Sequence, residues 1–191
     1  MMIDLTAPLC CILLGTGSVI GWFLWKKQHW QIRYWLIPVF LRYILLVMKI
    51  TVFPIHIFSK EELERCREGL GAYFVYYQLI PFASIQNYFQ GSGIIQLTGN
   101  VALLFPMAVF AEIFLRQRPK AWKVALGVTA VSFLIEMMQL IVSLMTQYPS
   151  RVVDVDDLIL NTTGIVIALL LTRAAGKNRI IQKVFPKLLY R

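Results

Sequence analysis

Charged residues are scarce in this chain. They make up 15% of its 191 residues, whereas 58% are hydrophobic, and the mean hydropathy is +0.66. Soluble domains have about a quarter of their residues charged. The composition therefore excludes an ordinary soluble domain and indicates a protein that crosses a bilayer several times.

Cysteine is also scarce. Cys10 and Cys11 lie inside the first apolar run and Cys66 stands alone, so neither a disulfide framework nor a metal-binding knuckle is indicated. The glycine-rich turn at 91–93 is not followed by Gly-Lys-Ser/Thr, which excludes a phosphate-binding loop. The sequence predicts no cofactor and no metal.

Basic residues outnumber acidic ones, 19 to 10, but they do not form one patch. About 13 of them lie in 26–33, 116–123 and 173–191, between or after apolar runs. Eight of the ten acids lie in the other segments between the apolar runs or before the first run, at residue 4, within 61–68 and within 154–157. This distribution excludes nucleic-acid binding. By the positive-inside rule it predicts an N-terminus outside and a C-terminus in the cytoplasm.

Five apolar runs predict about five transmembrane helices, and the fold class is an all-α polytopic membrane bundle. The runs are 5–25, 34–58, 97–115, 124–145 and 158–171. Arg42 and Lys49 interrupt the second run. We expect Arg42 to snorkel or to pair with Glu112, and Lys49 either to snorkel or to join a polar pocket. Pro106 predicts a kink in the third run.

Two segments lie outside these runs. Ser59 and Glu62 have the spacing of a capping box, which predicts a short surface helix ending at Gly69 or Gly71. The aromatic stretch 73–89 has too many breaks for a span and predicts an outer interfacial or partly re-entrant loop. The chain divides into an N-terminal two-span region (1–72), a second domain (73–175) and a basic cytoplasmic tail (176–191).

The stretch 151–164, RVVDVDDLILNTTG, carries the densest charge in the chain. In a helix beginning near Asp154, the side chains of Asp154, Asp157, Asn161 and Gly164 share one face. Asp154 is placed to cap this helix. Asp156 lies off the stripe and is interpreted as a solvated acid. Polar stripes in membrane helices usually face a site rather than lipid.

Further polar residues fall at the same predicted level of the bilayer. Glu136 and Gln139 share a face of the fourth run, and Gln96 and Asn100 share a face of the third. Asn100 either contributes to a site or bonds a neighbouring helix, and Glu136 either contributes to a site or forms a locking pair. We expect an outward-facing polar pocket under the loop 73–89. Its candidate ligand-binding residues are Asn100, Glu136, Gln139, Arg151, Asp154, Asp157 and Asn161.

Five motifs in this order resemble the VanZ-like family. They are LIPF (79–82), GNVALLFP (99–106), EMMQ (136–139), RVVDVDD (151–157) and NTTG (161–164). The resemblance implies a multi-pass protein of the bacterial cytoplasmic membrane. It also implies a link to the cell envelope and to antibiotic resistance, since the founding member is tied to low-level teicoplanin resistance. Ala108 and Ala168 stand where the family often has glycine, which is a change of small residue for small residue.

Three functions are open at this stage. The pocket binds the head group of an envelope lipid, a lipid-linked cell-wall precursor or a lipoglycopeptide antibiotic. Alternatively the protein is a membrane hydrolase or transferase acting on lipid-linked phosphate, with carboxylates as acid and base or as cation ligands. His29 and His56 lie away from these carboxylates, so no histidine base is indicated. A small lipid transporter is the third possibility, which would require an oligomer because no inverted repeat is visible.

Overall fold

The computed structural model describes residues 2–4, 15, 18–19, 22, 32–90, 93–115 and 119–177. Most of the first predicted span and the tail beyond Lys177 lie outside these residues. The described helices, in chain order, are α1 (Ile32–Thr51), α2 (Lys60–Leu70), α3 (Ala83–Gln90), α4 (Ile94–Leu103), α5 (Phe105–Phe114), α6 (Ala121–Thr146) and α7 (Val155–Lys177), with a 3-10 turn at Gly71–Tyr73.

Two short strand pairs join distant parts of the chain. Strand β1 (Met2–Ile3) pairs antiparallel with β2 (Ile55–His56). Strand β3 (Tyr77–Gln78) pairs in parallel with β4 (Val153–Asp154), which leads directly into α7. The second pair ties the aromatic segment to the acid-rich stretch.

Three segments of the described chain are long and apolar enough to cross a membrane: Ile94–Phe114, Ala121–Thr146 and Val155–Lys177. These helices support the prediction of a helical membrane protein. Helix α1 occupies the second predicted run but is not among these three. Five spans and their orientation therefore stay predictions.

The third span is broken rather than kinked. Helix α4 ends at Leu103, α5 begins at Phe105, and Pro106 lies in the first turn of α5. A proline lacks a backbone N–H, so it suits the start of a helix and cannot continue the one before it. Leu104, at the junction, is fully buried. The break thus lies in the middle of the bundle.

Helix α7 is the centre of the packing, since it contacts α4, α5 and α6. A Cβ added at Gly164 would lie 1.8 Å from the carbonyl oxygen of Val101, so the backbones of α7 and α4 touch there. Small residues permit this approach between membrane helices. Ala108 and Ala168, both fully buried, belong to the same core with Leu104 and Ile165.

Helix α1 packs on α5 through aromatic side chains. The ring of Phe40 contacts the rings of Phe110 and Phe114 at centroid distances of 5.1 and 5.6 Å. The hydroxyl of Tyr43 donates a hydrogen bond of 2.6 Å to the carbonyl of Leu103 at the end of α4. These contacts hold α1 beside the break in the third span.

Of the two alternatives predicted for Arg42, the pairing with Glu112 is wrong. Glu112 instead accepts hydrogen bonds from Arg173 at 2.7 and 3.3 Å, and its side chain is 6% exposed. Arg173 also donates to the carbonyl of Pro119 at 2.8 Å, while Arg42 is exposed. Since α7 packs along α5, the last turns of α7 bring Arg173 to Glu112.

The short surface helix is confirmed. Ser59 and Glu62 form both hydrogen bonds of the capping box, and the helix ends at Gly71. Gly71 has a φ of +50°, a conformation that glycine adopts without a Cβ clash. The hydrogen bonds from Ser59 hold the pKa of Glu62 below its usual value.

Candidate functional site

Asp154 immediately precedes α7 and forms hydrogen bonds with residues of α6 and α7. Its carboxylate accepts a hydrogen bond from the backbone N–H of Asp156 at 2.8 Å, which confirms the predicted cap. Its own backbone N–H donates to a carboxylate oxygen of Glu136 at 3.3 Å. Glu136, 5% exposed, thus joins the middle of α6 to the first turn of α7.

Asp157 lies one turn further along and faces α4. Its carboxylate accepts a hydrogen bond from the side-chain amide of Asn100. Two further bonds reach the last turn of α1. Gln139 donates from its amide to the carbonyl of Thr51 at 3.0 Å, and Arg151 donates to the carbonyl of Ile50 at 2.8 Å. These bonds connect α1, α4 and α6 to the start of α7.

A cavity of about 1010 Å³ opens between these elements. Five of the seven predicted ligand-binding residues line it: Asn100, Gln139, Arg151, Asp154 and Asp157. Its other walls include polar Gln78, Ser84, Tyr88 and Gln96 and apolar Leu46, Val47, Ile50, Ile95 and Leu103. The cavity is therefore lined by both polar and apolar side chains.

Glu136 and Asn161 are not among the described residues that line this cavity. Asn161 is 1% exposed and donates from its amide to the hydroxyl of Ser132 on α6 at 2.9 Å. Its carbonyl oxygen, Oδ1, has no hydrogen-bond partner in the part of the chain described. Both residues lie behind the polar wall and bond α6 to α7, an interaction expected between membrane helices.

Lys49 does not join the pocket. It is exposed, and it is absent from the described lining of the cavity. The last turn of α1 instead presents the neighbouring Ile50 and Thr51 to the cavity. Their backbone carbonyls accept the bonds from Arg151 and Gln139.

Asp156 is the residue that the sequence interpretation missed. The expectation of a solvated acid is wrong, because Asp156 is fully buried. Its carboxylate accepts hydrogen bonds from the backbone N–H groups of Phe82, Ser84 and Ile85 at 2.6, 2.9 and 3.1 Å. Asp156 thus supplies the acceptor for the unpaired backbone N–H groups at the start of α3. This role usually belongs to the side chain of the capping residue just before the helix.

This bond network places α3 against the cavity. Strand β3 is held by β4, with the N–H of Val153 donating to the carbonyl of Tyr76 at 3.0 Å. Asp156 then fixes the following turn, where Phe82 has a φ of +67°. The sequence contains one sign of this arrangement. Phe82, the residue just before α3, has no side chain able to cap a helix, so the N–H groups of the first turn need an acceptor from elsewhere in the chain.

Tyr88 extends from α3 into the cavity wall. Burial, and then the charges of Asp157, Asp154 and Asp156, raise its pKa to about 12, against a smaller opposing effect of a hydrogen bond with Gln96. The Tyr88 hydroxyl is therefore protonated at neutral pH and can act as a hydrogen-bond donor to a ligand.

Among the described residues, the cavity lining combines one cation, two carboxylates, amides and the phenols of Tyr43 and Tyr88 with apolar side chains. A guanidinium suits phosphate or carboxylate groups, whereas carboxylates suit hydroxyl and amine donors. Within the described residues, no group of three or more His, Cys, Asp or Glu side chains is arranged to hold a metal ion. The arrangement is suited to a ligand with a polar head and an apolar part.

Searches of curated proteins and of solved structures return no match. A family model described as VanZ/LLP1 matches residues 40–176, which include α1 from Phe40, the later helices up to Gly176 of α7 and every lining residue named above. The predicted family is confirmed, and the chain belongs to the VanZ/LLP1 family.

Proposed function

We propose that this VanZ-like membrane protein binds the polar head group of an envelope lipid, or of a lipoglycopeptide antibiotic, in the cavity at the start of α7. The observation that supports this most is the mixed lining, in which Arg151, Asp154 and Asp157 share one cavity with the apolar residues Leu46, Val47 and Ile50 of α1. Pockets that combine apolar walls with a few converging polar groups are typical ligand sites.

The polar groups divide the recognition between them. Arg151 is exposed and bonds one backbone carbonyl, and a guanidinium carries five N–H donors, so it has donors for an anionic oxygen of the head group. Asp154 and Asp157 accept hydrogen bonds from hydroxyl or amine groups. Asn100 and Gln139 are held by neighbours and present amides to sugar or peptide parts.

The proposed setting is the cytoplasmic membrane of a bacterium, with the N-terminus outside. The distribution of basic residues supports this orientation, because the start of α7 then lies on the outer side with most of the acids. A ligand of the cell envelope would reach the cavity from that side. Contribution to antibiotic resistance would follow from binding such a ligand.

The test compares cavity variants with a matched surface variant. Arg151→Ala and Glu136→Gln are expressed in a deletion strain, with Lys49→Ala as the control for loss of an exposed cation. The parent protein is expected to bind a labelled lipid-linked cell-wall precursor or a lipoglycopeptide and to change susceptibility. Arg151→Ala should weaken binding more than about tenfold, since a hydrogen bond to a charged group contributes about 1.5–3 kcal/mol.

Glu136→Gln should also weaken binding, because it alters the bond that holds Asp154 in the wall. Lys49→Ala should behave like the parent. Normal expression of both cavity variants with parental binding and susceptibility would contradict the proposal.

A second candidate is a hydrolase or transferase acting on lipid-linked phosphate. The specific observation in its favour is that two carboxylates, Asp154 and Asp157, line one cavity with the protonated Tyr88. Such groups can serve as acid and base. Turnover of a lipid-linked phosphate by the purified protein, lost in Asp157→Asn, would favour this function over binding alone.

A further inference from the structure

A second, apolar groove lies beside the polar cavity. It has a volume of about 500 Å³, and its lining is almost entirely apolar: Leu97, Thr98, Val101, Ala102, Phe105, Pro106 and Ile167. Two of these residues, Ala102 and Pro106, also line the polar cavity. The two spaces therefore adjoin at the break between α4 and α5.

The break and the close helix contact together create this groove. Helix α4 stops at Leu103, and α5 restarts with Pro106 in its first turn. Gly164 brings α7 against the backbone of Val101. Ile167, 39% exposed and one turn beyond Gly164, then forms the α7 side of the groove.

The surroundings of the groove favour one occupant. All its lining residues belong to two segments that are long and apolar enough to cross a membrane, Ile94–Phe114 and Val155–Lys177. Within a bilayer the groove faces hydrocarbon, and an alkyl chain needs no hydrogen-bond partner there. A peptide or a sugar would leave polar groups unsatisfied in the same place.

We propose that the ligand is a lipid that occupies both spaces at once, with its head group in the polar cavity and one acyl chain in the groove. This inference rests on the proposed head-group binding and adds the ligand class, a molecule with an alkyl chain attached next to a polar head. Ala102 and Pro106 lie where the chain joins the head.

The test uses vesicles of phosphatidylglycerol containing a minor fraction of phosphatidylglycerol with a diazirine in its acyl chain. This probe carries a phosphate for Arg151 and hydroxyls for the carboxylates. After illumination, adducts are mapped by mass spectrometry. We expect several-fold more adduct at Thr98 and Ile167 than at Leu170. Leu170 lies on α7 with Ile167, is 66% exposed and does not line the groove.

Two further variants separate a bound lipid from bulk lipid. Arg151→Ala changes only the head-group side, yet it should reduce adducts in the groove several-fold and leave those at Leu170 unchanged. Filling the groove by Ile167→Trp should do the same, with Leu170→Trp as the matched control. Thr98→Leu fills the groove from α4 and serves if Ile167→Trp does not fold.

Equal adducts at Ile167 and Leu170, or groove adducts that do not respond to Arg151→Ala, would overturn the inference. In that case the groove holds only bulk lipid. Retained binding of the labelled cell-wall precursor or lipoglycopeptide would leave the proposed function standing. Absence of any such binding by the parent protein would remove the proposed function itself.

Discussion

Replacing Gly164 with alanine tests how the helix contact positions the site. The added methyl carbon would lie 1.8 Å from the carbonyl oxygen of Val101 and 2.9 Å from its carbonyl carbon. Both atoms belong to the backbone of α4, so no side-chain rotation relieves the clash. Ordinary contacts begin near 3.4 Å, so α4 and α7 must separate locally by about 1.5 Å.

Overpacking of this kind costs about 1–3 kcal/mol, and we expect a value near 2 kcal/mol or above because backbone atoms are involved. For a chain of this size, about 2 kcal/mol lowers the Tm by roughly 4–8 °C. Asn100 precedes Val101, so the same displacement weakens its hydrogen bond to Asp157. Binding at the cavity should therefore fall along with stability.

The assay is thermal unfolding followed by circular dichroism, with Gly127→Ala as the control. Gly127 lies inside α6, and a Cβ added there meets no atom within 4 Å. Alanine is favoured over glycine within a helix by about 0.5–1 kcal/mol, so this control should be neutral or slightly more stable. Equal Tm values for the two variants would refute the close contact between α4 and α7.

Three other predictions concern buried and titratable groups. Asp156→Asn removes the charge that holds three backbone N–H groups and should cost about 1.5–3 kcal/mol, with faster hydrogen exchange at the start of α3 as the specific sign. Glu112→Gln removes the charge paired with Arg173. Because the Arg173 side chain is 32% exposed, the cost should lie below the about 3–5 kcal/mol of a fully buried pair, and the Tm should fall by several degrees. Arg42→Ala, at an exposed position, should not lower the Tm, and equal Tm values for the two variants would contradict the pairing. Tyr88 should ionise near pH 12 by near-ultraviolet absorbance. Its pKa is higher in the folded than in the unfolded state, so its contribution to stability is complete below about pH 10 and is lost between pH 10 and 12. Tyr88→Phe should lower the amplitude of the absorbance change near pH 12 by one tyrosine.

Local patterns in the sequence predict much of the site. The spacing of Glu136 and Gln139 places both on the buried face of α6, and the structure confirms that placement. The acids before the fifth run predict the start of α7, where Asp154 caps the helix. These features depend only on helical periodicity and on the unpaired amides at a helix start.

Other features depend on which elements become neighbours, and periodicity does not contain that information. Asp154, Asp156 and Asp157 are all acids in the same stretch, yet Asp156 alone caps a different helix. The partner of Glu112 follows from the packing of α5 against α7, which no local pattern specifies. The sequence places Asn161 on the same stripe as Asp157, but the stripe passes from the cavity into the contact with α6.

The break at Leu104 shows a related limit. A proline in an apolar run predicts a disturbance, and Pro106 does mark one. The sequence does not decide between a bent helix and two helices, because the outcome depends on the packing around the junction. Here Tyr43 of α1 donates a hydrogen bond to the end of α4, and Leu103 and Pro106, on the two sides of the break, line the cavity.

The most direct test of the central claim is the reaction of Gly99→Cys with a membrane-impermeant thiol reagent in intact cells. Cys10, Cys11 and Cys66 are first replaced by serine. Gly99 lies within a candidate membrane span and lines the polar cavity, with no atom within 4 Å of an added Cβ. An outward-facing, water-filled cavity predicts rapid labelling at this position and none at Gly127→Cys. Labelling of Gly99→Cys only after the cells are permeabilised, or not at all, would contradict that claim.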